Sequence, residues 1–92
     1  MEIPQPGEIY RHYKYNPDGE ENNYTYRIVA IGYDTEVDNE VVIYEPLYDS
    51  EHLNDFSATV YVRPLEMFVG EVDVEGESRG RFVKLEEVQQ MF

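Results

Sequence analysis

Seven basic residues stand among twenty acidic ones: Arg11, Lys14, Arg27, Arg63, Arg79, Arg81 and Lys84. The run Tyr10-Arg11-His12-Tyr13-Lys14 gathers two of them with an imidazole and two phenols. Arg brings a fixed charge and a fork of donors, and Lys a compact charge. Tyr brings a flat apolar ring with a hydroxyl, and His a contact that titrates near neutrality. Together they suit a small anion or an aromatic ligand. The plainer alternative is a tyrosine-rich strand with one buried and one solvated side.

Two further cations sit beside features that place a site. Arg63 precedes Pro64, so its backbone is extended and it ends a strand near a loop. Arg81 is followed by the apolar ring of Phe82. If the ends of the strands meet, Arg11, Arg63 and Arg81 share a rim with Tyr44, Tyr48 and Phe82. The competing arrangement ties each arginine into its own ion pair. Arg27, in the middle of an apolar strand, needs such a partner, and Glu36, Glu45 and Glu66 are the candidates.

Catalytic motifs are absent. The chain has no Cys, no G-x-S-x-G, no H-E-x-x-H and no glycine-rich phosphate loop. A hydrolase would have to use His12 as base with Glu36 as partner. His52 lies in an acidic loop and reads as solvated. In Asp34–Glu40 the acids alternate, but Asn39 stands where a calcium loop needs Gly, and Val41–Tyr44 reads as strand. The candidate ligand-contacting residues are therefore Tyr10, Arg11, His12, Tyr13, Glu36, Tyr44, Tyr48, Arg63, Arg81 and Phe82. No catalytic residue, metal ligand or cofactor is assigned.

These side chains need a scaffold. Glu8–Lys14 alternates Ile9, Arg11, Tyr13 against Tyr10, His12, Lys14, as a strand does. Asn16–Asn23 is a loop. Tyr24–Tyr33 is the longest strand, with Tyr24, Tyr26, Ile28 and Ala30 on one face and Arg27, Val29 and Ile31 on the other, both covered at its centre. Asp34–Glu40 closes a hairpin into a strand over Glu40–Tyr48, which must end, bulge or lie on an edge at Pro46. Asp49–Ser57 is a loop anchored by Leu53 and Phe56. A strand over Ala58–Arg63 leads into a 3₁₀ turn over Pro64–Phe68. Short strands over Val69–Val74 and Arg79–Leu85 flank a turn, and Leu85–Phe92 has the spacing of a short helix. The fold class is mainly β. The pattern predicts a small, strongly bent antiparallel sheet or half-open SH3-like barrel of five to six strands, one domain over residues 1–92.

The composition narrows the partners. A net charge of −13 disfavours unassisted binding to nucleic acid or anionic lipid. No apolar run approaches the ~18 residues of a membrane span. The opening MEIPQPGEIY has no basic start and no apolar core, so no signal peptide is expected. With no cysteine, a cytoplasmic location fits.

The order of these pieces resembles an uncharacterised bacterial family catalogued as domain of unknown function 1653. The matching residues are Gly7, Tyr10–Lys14, Thr35 and Glu36, Val42–Tyr44, Leu47 and Tyr48, Val62–Phe68, and Arg81 with Phe82. Asp34 departs from the family pattern, which has His before Ser-Glu at that point, so a role for that His does not carry over. The resemblance implies a compact single domain and no particular reaction.

Three function classes follow. The first is a small non-catalytic binding module whose Arg/Tyr rim takes a small anionic or planar ligand, a peptide or a partner domain. The second is an acidic interaction protein that binds a basic partner as a nucleic-acid mimic does. The third is the hydrolase built on His12.

Overall fold

Strands form where β-branched and aromatic residues alternate with polar ones. In the computed structural model, which describes residues 2–54 and 57–85, they are β1 (Ile9–His12), β2 (Thr25–Asp34), β3 (Asn39–Pro46), β4 (Tyr61–Pro64), β5 (Glu71–Val74), β6 (Glu77–Gly80) and β7 (Phe82–Lys84). Two single helical turns interrupt them, α1 (Glu51–Asn54) and α2 (Leu65–Phe68). The fold is mainly β and antiparallel. Five strands form one sheet in the order β4-β3-β2-β1-β7, and β5 and β6 form a separate hairpin.

This is the mainly β antiparallel sheet that the pattern predicts, and it does not close into a barrel. The edge strands β4 and β7 have four and three residues, too little ladder to meet across the sheet. There are seven strands among the described residues rather than five or six, because Arg81 is a bend that splits the expected Arg79–Leu85 strand in two. The Pro64–Phe68 turn is α rather than 3₁₀, since the Val69 amide donates to the Leu65 carbonyl at 3.0 Å. Residues 86–92 of the expected terminal helix, and the Phe56 anchor, lie outside the described residues. No described helix is long and apolar enough to cross a membrane.

One face of the sheet carries the core. Tyr10 of β1, Tyr26 and Ile28 of β2, Val42 and Tyr44 of β3 and Phe82 of β7 are all buried there. The α2 turn drops Phe68 onto them, 1% exposed, its ring parallel to Phe82 at 4.0 Å. The other face is open. Val29, Val62 and Val83 are exposed, and so is Arg27. β2 is therefore not covered on both sides. Arg27 is a surface residue paired across the strands with Glu45 at 2.8 Å, of the three candidates the one directly opposite it.

A bulge changes the parity of β2. Ile28 opposes Tyr44 and Ala30 opposes Ile43, leaving Val29 as the extra residue. Beyond it Ile31 packs on the core beside Ile28, although simple alternation puts them on opposite faces. At the other end β3 terminates on Pro46, which has no amide for a longer ladder. In the β5–β6 hairpin, Glu75 and Gly76 have φ of 53° and 84°. Two positive values at the centre of a two-residue loop match the strand twist.

The Asn16–Asn23 loop is held by one side chain. Asn23 is buried; its Oδ1 accepts from the Asn16 amide, and its Nδ2 donates to the carbonyls of Asn16 and Glu20 at 2.8 and 2.6 Å. Asn23→Ala strands these groups and is expected to cost about 1–2 kcal/mol. Urea denaturation measures the loss, and an unchanged midpoint would refute this role for the side chain.

Candidate functional site

Strand parity selects what faces the core side. In β1 that side holds Tyr10 and His12. In β4 it holds Tyr61 and Arg63, because Tyr61 opposes Tyr44 and Arg63 opposes the fully buried Val42. The β1–β7 register sets Phe82 opposite His12. A guanidinium and an imidazole thus stand on the same face as the aromatic core, where the five strands end beside it.

They line a pocket of about 300 Å³. Its walls are the rings of Tyr24, Tyr26, Tyr44, Tyr48, Tyr61 and Phe82, and its polar heads are His12, Lys14 and Arg63. Among the described residues no carboxylate lines it. Arg63 is held without an acid: its Nε donates to the Tyr44 hydroxyl at 3.1 Å, and its guanidinium lies 5.4 Å from the centre of the Phe82 ring. Among the described residues no ion pair involves Arg63, Lys14 or Arg81; those present join Arg27 to Glu45, and Lys84 to Glu2 and Glu8.

His12 is set by its neighbours. Its ring stacks near Tyr24 at 5.6 Å and meets Phe82 edge-on at 4.9 Å. Its Nδ1 accepts from the Lys14 amide at 3.2 Å, so the neutral ring carries its proton on Nε2. Burial lowers the imidazole pKa to about 4, with help from the charges of Arg63, Lys14 and Arg81. At neutral pH it is a neutral donor.

Two of the phenols, Tyr26 and Tyr48, are likewise kept neutral. Burial pushes Tyr26 well above the ordinary phenol range, and its hydroxyl shares a 3.1 Å hydrogen bond with that of Tyr48. Tyr48 is also raised, mainly by burial. The Tyr61 hydroxyl bonds to Ser50. Tyr24 has φ of +54°, a left-handed conformation uncommon outside glycine, asparagine and aspartate. That backbone turn, at the end of the Asn16–Asn23 loop, precedes β2, and its carbonyl accepts from the His12 amide at 2.9 Å.

The three arginines do not gather. Arg63 is in the pocket. Arg81 lies beside it, its Nε donating to the Met67 carbonyl at 3.1 Å, and its charge still reaches His12. Arg11 points the other way by the alternation of β1. Its Nε donates to Thr25 Oγ1 at 3.0 Å, and its guanidinium covers the Tyr15 ring at 3.9 Å. Among the described residues none of the three is clamped by an acid either.

The remaining candidates divide. His12, Tyr44, Tyr48 and Phe82 line the pocket with Arg63. Tyr10 is core, its hydroxyl donating to Glu8, and burial with the Glu8 and Glu2 charges raises its pKa to about 12. Tyr13 follows β1 and gives its amide to the Arg81 carbonyl. Glu36 is in the β2–β3 turn, its amide bonded to Asp34 Oδ1. That turn is separated from His12 by the length of β2, roughly 30 Å at ~3.3 Å per residue, so the two form no acid–base pair. Asp34, the position where the resemblance expects His, caps the same distant turn.

Sequence reasoning missed Lys14, Tyr24, Tyr26 and Tyr61 as pocket residues. For two of them a signal existed. Tyr61 shares parity with Arg63, and Tyr26 with the buried Ile28, whereas Lys14 lies in the turn that follows β1. Tyr24 depends on its backbone conformation, which no pattern announces.

Two other hollows flank the pocket. A larger one, about 400 Å³, includes Tyr10, Phe68 and Lys84 with Glu2 and Glu71; its lysine is already neutralised by Glu8 and Glu2. A shallower one shares Tyr24 and Tyr48 with the pocket and is acidic, with Glu20, Asp49 and Glu51.

A family model described as "Protein of unknown function (DUF1653)" matches residues 8–84, which include all of the pocket. No curated protein and no solved structure matches the chain.

Proposed function

The chain belongs to the DUF1653 family, and from the geometry of its pocket we propose that it is a small non-catalytic binding module that takes a small anion. One observation carries this reading. In a chain of net charge −13, Arg63 and Lys14 face an aromatic pocket with no carboxylate in its lining and no ion pair among the described residues. Elsewhere on such a surface an anion meets repulsion, so a local excess of donors is where it gains most.

The hydrolase reading has less support, because among the described residues no carboxylate lines the pocket beside His12. The nucleic-acid-mimic reading rests on acidic composition alone.

Titration with small anions followed by NMR tests the proposal. Acetate, benzoate and inorganic phosphate are added in turn while the His12 ring and Arg63 side-chain signals are followed. At least one is expected to shift both signals saturably and to raise the His12 pKa. Arg63→Gln is expected to weaken that binding by about tenfold, the scale of one lost charge-assisted contact. Absence of saturable shifts with every anion would end this reading.

A further inference from the structure

Resting on that anion-binding reading, we propose that the ligand is a flat aromatic or heteroaromatic carboxylate of one or two rings. Three features of the pocket select it.

The first is size. A volume of about 300 Å³ is at the low end for small-molecule sites. Six of its nine lining residues are Tyr or Phe, so a flat ring gains contact that a bare ion does not, while their hydroxyls and the basic heads keep the open surface mainly polar.

The second is the geometry of the charge. Arg63 Nε is occupied by the Tyr44 hydroxyl. This removes the side-on approach that uses Nε, and leaves the two terminal nitrogens as a fork matched to two carboxylate oxygens. The Tyr44 hydroxyl, having accepted from Arg63, still has its own proton to give. Neutral His12 has a further one on Nε2. The polar heads of the lining therefore offer protons, and the partner they fit is rich in acceptors.

The third is the charge count. Glu20, Asp49 and Glu51 lie across the wall formed by Tyr24 and Tyr48. Each added negative charge in the pocket meets that repulsion, so a single charge is favoured over the double charge of a phosphate monoester above pH ~6.

Four probes differing in one feature each decide the matter, using the whole chain at pH 7.5 and NMR titration. Benzoate carries the ring and one charge. Benzamide removes the charge, acetate removes the ring, and phenyl phosphate doubles the charge. Benzoate is expected to bind tightest, with each of the others about tenfold weaker or more. Tyr44→Phe, which keeps the ring and frees Arg63 Nε, is expected to weaken benzoate about three- to tenfold and benzamide, whose neutral carbonyl gains less from the same donors, by a smaller factor. Its fold is checked by the amide spectrum.

Acetate binding as tightly as benzoate would overturn the ring requirement while leaving the anion-binding reading intact. Phenyl phosphate binding tightest would overturn the preference for a carboxylate. Benzamide equal to benzoate would overturn the requirement for charge. No binding by acetate, benzoate, phenyl phosphate or inorganic phosphate would overturn both proposals together.

Discussion

Phe68→Ala is expected to lower unfolding stability by about 3–5 kcal/mol, the range for a large ring deleted from a packed core. Phe68 is 1% exposed. It lies flat on Phe82 and meets the edges of Tyr10 and Tyr44 at 5.3 and 5.4 Å. α2 has only four residues and no side-chain cap, so it cannot re-form around a smaller residue without this anchor. A 92-residue domain has roughly 5–14 kcal/mol in total at the usual 0.05–0.15 per residue. The substitution therefore removes a large share of it.

Urea denaturation at pH 7.5 reads the loss as a lower midpoint with an unchanged slope. Val62→Ala, on the exposed face of the neighbouring strand β4, is the control and is expected to change stability by under about 0.5 kcal/mol. A loss for Phe68→Ala no larger than the control's would mean that α2 does not pin the core. Because Phe82 is both Phe68's stacking partner and a wall of the pocket, the same variant is expected to weaken benzoate.

His12 is expected to make the fold sensitive to acid. Its pKa is near the usual 6.5 when unfolded and about 4 when folded. Above pH 6.5 the ring is neutral in both states and the fold is not penalised. As pH falls from about 6.5 towards 4, the unfolded chain takes up a proton that the folded one refuses, and stability falls. The limiting slope is about 1.4 kcal/mol per pH unit for one proton. His12 is half-buried, so solvent screening leaves a total of about 2 kcal/mol.

The carboxylates titrate in the same range, and their protonation relieves self-repulsion. Comparison with His12→Asn removes that background, since an Asn oxygen can still accept from the Lys14 amide. Stability is measured by urea denaturation from pH 7.5 to pH 4.5. The difference between native chain and variant is expected to shrink as pH falls, because only the native chain carries the imidazole penalty. A constant difference would show that His12 titrates alike in both states. Arg63→Gln, which withdraws one of the charges facing the ring, is expected to move the folded His12 pKa back towards 6.5.

Much of this protein is legible along the chain. The alternation read over Glu8–Lys14 holds within Ile9–His12, where it sets Tyr10 and His12 on one side and Arg11 on the other, while Lys14 falls in the turn beyond. It thereby contained the reason that Arg11 cannot join a pocket built around His12. Spacing of two residues likewise tied Tyr61 to Arg63. Pro46 marked the end of β3, and Pro64–Phe68 marked a turn with an apolar anchor. These are properties of a local backbone with period two, or of a single ring or missing amide, and they need no partner to be true.

What the chain could not announce was which strands meet. The pairing of β1 with both β2 and β7 sets Phe82 beside His12, and the β3–β4 register puts Arg63 over Val42. The bulge at Val29 reverses the parity of half of β2, and the left-handed backbone at Tyr24 precedes that strand beside His12. Each of these depends on contacts between residues far apart in sequence. Their energies are comparable for many alternative registers until the whole core is packed. The tertiary structure alone therefore decided that one arginine, not three, stands in the pocket, and that Tyr44 rather than a carboxylate holds it.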